Sequence, residues 1–252
     1  LAPSTDSGAL VRTLNNPNAY GTTGGDNFGQ AIASDGNLAI VGVKEEDSAG
    51  SINSGKAYIF NITTGALVRT LNNPNAYGTS QIDYFGHSVA ISGNYAIVGT
   101  YSEDDADGIN SGKAYIFNVN SGFPLHTLDN PNAYSAGEPG DSWYSANDYF
   151  GSRVAISGNY AIVGAYQEDD AGGSSGSSSG KVYIYNVTSG ALVHTLDNPN
   201  AYGTSYDDRF GKSVDMSGNN AIVSAYAEDD AGGPSSGKVY IYNVTSGALV
   251  HT

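Results

Sequence analysis

Thirteen of the 25 carboxylates in this 252-residue chain fall in four short runs: Glu45, Glu46 and Asp47; Glu103, Asp104, Asp105 and Asp107; Glu168, Asp169 and Asp170; Glu228, Asp229 and Asp230. Carboxylate oxygens on glycine-flanked loops are the ligands that hard divalent cations prefer. Glu103, Asp105 and Asp107, followed by Gly108, come nearest to a calcium-loop spacing. Glu168 with Asp170, and Glu228 with Asp230, repeat the first two positions and lack the third. The second run is therefore the candidate metal site, with calcium the candidate ion. Alternatively the runs are solvated loops that keep one face soluble and block edge-to-edge association.

A second set of candidates is aromatic. Tyr20, Tyr77, Tyr134 and Tyr202 each close an Asn-Pro-Asn-Ala-Tyr element, once per acidic run. Rings beside Asn and Asp suit stacking on and hydrogen bonding to sugars. Wedging between structural units explains the same regular recurrence. Trp143 and Tyr144 stand in an insertion that breaks the repetition, which marks them for a specific contact. Asn61, Asn186 and Asn243 each begin an Asn-x-Thr glycosylation pattern. All three occupy one repeated turn, where Asn also satisfies neighbouring backbone groups.

Catalytic constellations are missing from the sequence. There is no cysteine, so neither a thiolate nucleophile nor a disulfide exists. His126, His194 and His251 take the place that Arg12 and Arg69 hold in other copies, which points to an outer-edge surface position. Adjacent acidic residues in repeated loops do not make a pair of carboxyls with separated pKa values. The chain is expected not to be an enzyme. A net charge of −15 argues against nucleic acid and against anionic membrane surfaces. No apolar run is long enough to span a bilayer. Acidic, Cys-free, Ser/Gly/Asn-rich repeats point to an extracellular, secreted or surface location.

These residues are positioned by a repeat. Near-identical text starts at Gly8, Gly65, Gly122, Gly190 and Gly247, at spacings of 57, 57, 68 and 57 residues. The third copy is longer by eight residues between Tyr134 and Asp148 and by three before Lys181. In the second copy Phe85–Ser92 alternates as a strand, Ser92, Gly93 and Asn94 turn, and Tyr95–Gly99 runs on as a second strand. After the acidic loop, Lys113–Asn118 is a third strand, and the next Gly-Ala-Leu-Val type segment a fourth. Four short antiparallel strands per unit predict an all-β fold: a β-propeller of four-stranded blades, four of them here, in a ring that can be larger than this chain. The blades are expected near 26–71, 83–128, 148–196 and 208–252. In such a meander the second-to-third-strand loops and the inter-blade connections share one face. The acidic runs, the tyrosines and Asp26, Asp83, Asp148 and Asp208 therefore gather there.

Phe28-Gly29, Phe85-Gly86, Phe150-Gly151 and Phe210-Gly211, each followed by Val41-Gly42, Val98-Gly99, Val163-Gly164 or Val223-Ser224 and then a Gly-Lys-(Ala/Val)-Tyr strand, resemble the FG-GAP repeat family. Those repeats form the blades of integrin α-subunit propellers and of many bacterial or viral surface proteins. The resemblance covers nearly the whole chain. It implies an extracellular binding or adhesion module; the acidic, Tyr- and Asn-rich loop face of this chain is where a glycan or protein partner is expected. One departure matters. Where the integrin pattern often carries a calcium loop, this chain has only Asp35-Gly36-Asn37 and its three counterparts, too short for the six to eight oxygens calcium needs.

Counting strands leaves one over. Fourth-strand segments occur at 9–14, 66–71, 123–128, 191–196 and 248–252, against four sets of the other three strands. Residues 9–14 and 248–252 compete for the outer edge of the last blade. The chain is thus an excerpt of a longer propeller, a closed ring with an idle strand, or a subunit that passes a strand to its neighbour. The last alternative describes a structural subunit of an extracellular filament or phage appendage. A calcium-dependent enzyme acting on polysaccharide is a third reading.

Overall fold

Each blade begins with a hairpin made possible by glycine. Gly93 joins Ser92 to Tyr95, which pair with each other, and takes a φ of 55°. Only a residue without Cβ adopts that backbone freely in so tight a turn. The equivalent Gly36, Gly158 and Gly218 do the same. Alternating strands rich in β-branched and aromatic residues follow, so every repeat builds a sheet, and no helix forms among the described residues.

The structure is a computed structural model and describes residues 10–18, 25–47, 52–74, 82–104, 110–132, 148–168, 178–199, 207–229 and 233–252. The first sheet comprises β1 (Ala31–Asp35), β2 (Leu38–Val43), β3 (Lys56–Asn61) and β4 (Leu67–Asn72). The second holds β5 (Ser88–Ser92), β6 (Tyr95–Thr100), β7 (Lys113–Asn118) and β8 (Pro124–Asp129). The third holds β9 (Arg153–Ser157), β10 (Tyr160–Ala165), β11 (Lys181–Asn186) and β12 (Leu192–Asp197). The fourth holds β13 (Phe210–Ser217), β14 (Asn220–Ala225), β15 (Lys238–Asn243) and β16 (Leu249–His251). All are antiparallel meanders in chain order. First strands touch first strands, β1 to β5 to β9 to β13, so these strands are innermost.

Both faces of an interior blade are apolar, which is why single repeats cannot stand alone. Ile40, Ala57, Ile59 and Leu71 of the first blade pack on Phe85, Val89, Ile91, Val98, Tyr115 and Phe117 of the second. The same two faces meet between the second and third blades and between the third and fourth. Fully burying one such isoleucine contributes about 1.5–3 kcal/mol. The series does not close into a ring. Its two end faces are only partly covered, with Ile32 72% and Ile222 42% exposed where their interior counterparts are buried.

The first strands are shorter than the alternation predicts. Expected from Phe85, the inner strand starts at Ser88. Tyr84 takes a φ of 58°, the His87 N–H donates to the Tyr84 carbonyl at 3.0 Å, and Phe85 bridges to Gly55 of the preceding blade. The Phe-Gly pair is thus a turn that drives its ring into the inter-blade core, where it lies 6.0 Å from the ring of Tyr115. Only in the fourth blade does the strand reach back to Phe210.

The competition for the last outer edge resolves in favour of the C-terminal segment, because β16 pairs with β15. Residues 10–14 instead lie against the first blade as though they were the outer strand of a blade before it. Leu14 packs on Tyr58 and Phe60, as Leu71 packs on Tyr115 and Phe117. Arg12 Nε donates to the Thr63 carbonyl at 3.1 Å, and Arg69 reaches the Asn120 carbonyl in the same way through Nη2.

The last face departs from the repeat at three positions. Ala33, Ala90 and Ala155 become Asp215; Leu38, Tyr95 and Tyr160 become Asn220; Gly42, Gly99 and Gly164 become Ser224. The glycines are required by a close approach. A Cβ on Gly99 would stand 1.9 Å from the Gly151 carbonyl oxygen of the next blade. Ser224 fills that place, and its Oγ accepts the Ser213 N–H at 3.0 Å. Polar outer faces of this kind cap repeat arrays against further stacking.

Candidate functional site

One glutamate of every run turns inward: the first in three of them and the second, Glu46, in the run that opens with Glu45. Glu46, Glu103, Glu168 and Glu228 are all 0% exposed. Each accepts a hydrogen bond from the tyrosine of the third strand in its own blade: Tyr58 at 2.5 Å, Tyr115, Tyr183 at 2.6 Å and Tyr240 at 2.6 Å. Asp26, Asp83, Asp148 and Asp208, just before each Phe-Gly pair, are buried as well. Their oxygens accept from Asn16, Asn73, Asn130 and Asn198 at 2.8, 2.9, 2.8 and 2.8 Å. The Asn-Pro turn, the Asp before Phe-Gly, the loop glutamate and the strand tyrosine are therefore one polar unit that recurs in each blade. It brings together the loops that the meander places on one face.

Burial dominates the titration of Glu103, Glu168 and Asp208. It raises Glu103 to about 7, with the bond from Tyr115 opposing and the charge of Asp83 reinforcing the shift. Burial raises Glu168 to about 8, against its bond from Tyr183 and with the charge of Asp148. Asp208 rises to about 6 by burial and by the charges of Glu228 and Asp229. Removing a carboxylate from water favours its neutral form.

This geometry bears on the cation candidates. Glu103, Glu168 and Glu228 spend oxygens on buried phenols, while Asp105, Asp107, Asp170 and Asp230 lie outside the described residues. Among the described residues no three His, Asp or Glu side chains gather as a metal-holding group. Tyr20, Tyr77, Tyr134, Tyr202, Trp143 and Tyr144 also lie outside the described residues. Asn61, Asn186 and Asn243 shape the turn between third and fourth strands. Their Oδ1 atoms accept backbone N–H groups of Thr64 at 2.8 Å, Ser189 at 3.0 Å and Ser246 at 3.0 Å. Asn118 makes the same bond, from the Ser121 N–H at 2.9 Å, without an Asn-x-Thr pattern. His126 and His194 do more than sit at an edge: their Nε2 atoms reach Thr188 and Thr245 carbonyls of the next blade, both at 3.1 Å.

A different set of side chains meets at the inner rim of the loop face. Tyr84 stacks on Tyr101 with centroids 5.7 Å apart and planes at 13°. Tyr101 meets Tyr149 edge-on at 5.2 Å, and Tyr149 meets Tyr166 at 5.6 Å. His87 packs edge-on against Tyr101 at 4.4 Å. The result is a continuous aromatic rail across the second and third blades, with its tyrosines partly exposed. Lys212 caps it, its Nζ 3.6 Å from the Tyr166 centroid. Beside the rail a cleft of about 220 Å³ is lined by His87, Tyr101, Tyr149, Arg153, Tyr166 and Lys212. A second cleft of about 430 Å³ continues from His87 and Arg153 along the innermost strands to Ile32.

Sequence reading passed over this rail, although a signal existed. Two positions vary between otherwise near-identical repeats: Asn27, Tyr84, Tyr149 and Arg209 before Phe-Gly, and Lys44, Tyr101, Tyr166 and Tyr226 after the second strand. Positions that keep the frame recur, so the ones that vary are free to specialise.

Four serial four-stranded antiparallel sheets with their first strands innermost define a propeller-type repeat module. The FG-GAP repeat model matches residues 19–60, 76–117, 142–185 and 201–242, one match per blade, and the chain belongs to the FG-GAP repeat family. Repeats of this family are typical of extracellular or surface proteins. Among solved structures, the computationally designed Ika4 protein is similar over 94% of this chain and 99% of its own, with a TM-score of 0.51 and 14% identity. At that identity the likeness is one of fold alone. No curated protein matches the chain.

Proposed function

We propose that the chain is an extracellular binding or adhesion module that presents the inner rim of its loop face to a glycan. The observation that carries this reading is the aromatic rail from Tyr84 to Tyr166, partly exposed beside a cleft. Tyrosine offers an apolar ring for a sugar face and a hydroxyl for its polar edge. Aromatic side chains held in a row by a rigid frame give contact area at low entropic cost.

Binding fits these residues better than catalysis. Glu103 and Glu168, whose raised pKa values would elsewhere suit a general acid, are fully buried against frame tyrosines and out of reach of a substrate. The filament alternative has the partly covered apolar end faces in its favour, yet Asp215, Asn220 and Ser224 oppose stacking of another blade on the last one.

The test is a glycan array probed with the purified chain, followed by calorimetry on the best hit. Binding should fall at least tenfold in the Tyr101→Ala and Tyr149→Ala variants, with circular dichroism unchanged. An array without hits, together with capture of a protein ligand, would replace the glycan reading with a protein-binding one.

A further inference from the structure

The ten lysines and arginines of this chain divide into two groups. Lys56, Lys113, Lys181 and Lys238 hold one frame position at the start of the third strands, and Arg12 and Arg69 hold the inter-blade latch. The remaining four, Lys44, Arg153, Arg209 and Lys212, all stand at the inner rim beside the tyrosine rail. Lys44 lies 5.3 Å from the Tyr84 centroid, and the Arg209 guanidinium 5.8 Å from that of Tyr226. In a chain of net charge −15 this is a local inversion of sign.

Two of the four are neutralised in place. Lys44 pairs with Glu45 at 3.4 Å and Arg209 with Asp207 at 3.4 Å. Arg153 and Lys212 have no carboxylate partner among the described residues. Arg153 directs Nη1 to the Ser152 carbonyl at 2.6 Å and to His87 Nε2 at 3.0 Å. Because His87 accepts there through Nε2, its Nδ1 carries the proton. That Nδ1 is buried and has no hydrogen-bond partner. A buried donor without a partner is destabilising, so a ligand acceptor that reached it would be favoured. Burial and the charges of Arg153, Lys44 and Lys212 hold the ring neutral, lowering its pKa to about 4.

We infer that the cleft bounded by His87, Tyr101, Tyr149, Arg153, Tyr166 and Lys212 binds an acidic saccharide, taking its carboxylate between Arg153 and Lys212 and its ring against the tyrosines. This deepens the glycan-binding reading and rests on it. Guanidinium and ammonium groups beside a carboxylate make charge-assisted hydrogen bonds, about twice as strong as neutral ones. The frame carboxylates repel an anionic ligand only weakly beyond about 8 Å at physiological ionic strength, whereas the two cations act in direct contact.

The probes are a tetramer of galacturonic acid and its fully methyl-esterified form, titrated calorimetrically into the full chain alongside a neutral cello-oligosaccharide. The acid form should bind at least tenfold more tightly than the ester and weaken as NaCl rises from about 50 to 500 mM. Lys212→Ala and Arg153→Gln should each erase most of that preference. Tyr166→Phe, which keeps the ring, should leave it intact. Lys212 is partly exposed, so its variant tests the site even if the Arg153 substitution disturbs folding. Equal affinity for acid and ester, or an unchanged preference in Lys212→Ala, overturns the inference and leaves the glycan reading standing. Failure of all three saccharides, with a protein ligand captured instead, overturns both.

Discussion

The Tyr183 hydroxyl sits 2.6 Å and 2.8 Å from the two carboxyl oxygens of Glu168, a group with no solvent exposure. Asn132 Nδ2 donates to Oε1 of the same carboxyl at 2.8 Å. The glutamate thus joins the strand tyrosine of its own blade to the Asn-Pro turn that enters it. A residue that reads as surface acid is a tie between three segments.

Burial of these carboxyls makes stability depend on pH in an unusual direction. Glu103 and Glu168 rise to about 7 and about 8 in the folded chain, and Asp208 to about 6. The folded state therefore holds protons that the unfolded state releases. The resulting stabilisation is complete below the unfolded values, near 4.5 for Glu and 3.8 for Asp, and is lost as pH rises through 6 to 8. Each glutamate contributes on the order of 3 kcal/mol across that window. Thermal melts should give a higher Tm at pH 5 than at pH 8.5. A Tm that climbs over the same range would contradict the assignment.

Glu168→Gln and Glu168→Ala separate charge from hydrogen bonding. Glutamine keeps an acceptor for Tyr183 and carries no charge, so its melting curve should vary less with pH and match or exceed the parent at pH 8.5. Alanine leaves the buried Tyr183 hydroxyl without its acceptor, at about 1–3 kcal/mol, and removes the bond from the part-buried Asn132 amide. Chemical denaturation at pH 7 should therefore rank Gln well above Ala. Equal losses would mean that the volume of the side chain matters and its bonds do not.

How far this was legible depends on where each signal lies. Ser92, Gly93 and Asn94 announce their hairpin locally, and Phe85-Gly86 with Val98-Gly99 carries the blade in every copy, so fold and strand order could be read directly. Glu103 could not be placed, because its burial depends on a phenol in another strand; next to Asp104 it reads only as polar. The rail needed the most three-dimensional information. Tyr101 and Tyr149 come from different blades and meet only because the innermost strands converge. His87 and Arg153 likewise join across two blades. Asp215 and Ser224 were visible as departures from Ala and Gly, but their meaning depends on knowing which face points to the next blade.

Gly164 marks a contact in which no side chain fits. A Cβ there would lie 2.4 Å from the Gly211 carbonyl oxygen, which belongs to the backbone of the next blade and cannot swing aside. Gly164→Ser should destabilise the chain by about 1–3 kcal/mol or more through overpacking. Proteolysis should then cut preferentially between the third and fourth blades. A parent-like melt with no new cleavage would show that the blades separate easily to admit the serine.

The opposite substitutions test the cap. Asp215, Asn220 and Ser224 replace Ala, Tyr or Leu, and Gly on a face that still carries Ile222 at 42% and Val239 at 47% exposure. At the other end of the chain Ile32 stands 72% exposed on the complementary face. Restoring the interior residues in Asp215→Ala, Asn220→Tyr, Ser224→Gly removes a charge and clears the space the next blade's carbonyl needs. The two end faces are then the two halves of the interface already formed three times within the chain. Because they differ, pairing between copies is head-to-tail, and growth continues unless rotation closes it. Light scattering should report a parent that stays monomeric at micromolar concentration and a triple variant whose mass rises with concentration. A triple variant that remains monomeric would mean that residues 10–14, lodged against Tyr58 and Phe60, guard the first face more effectively than the polar residues guard the last.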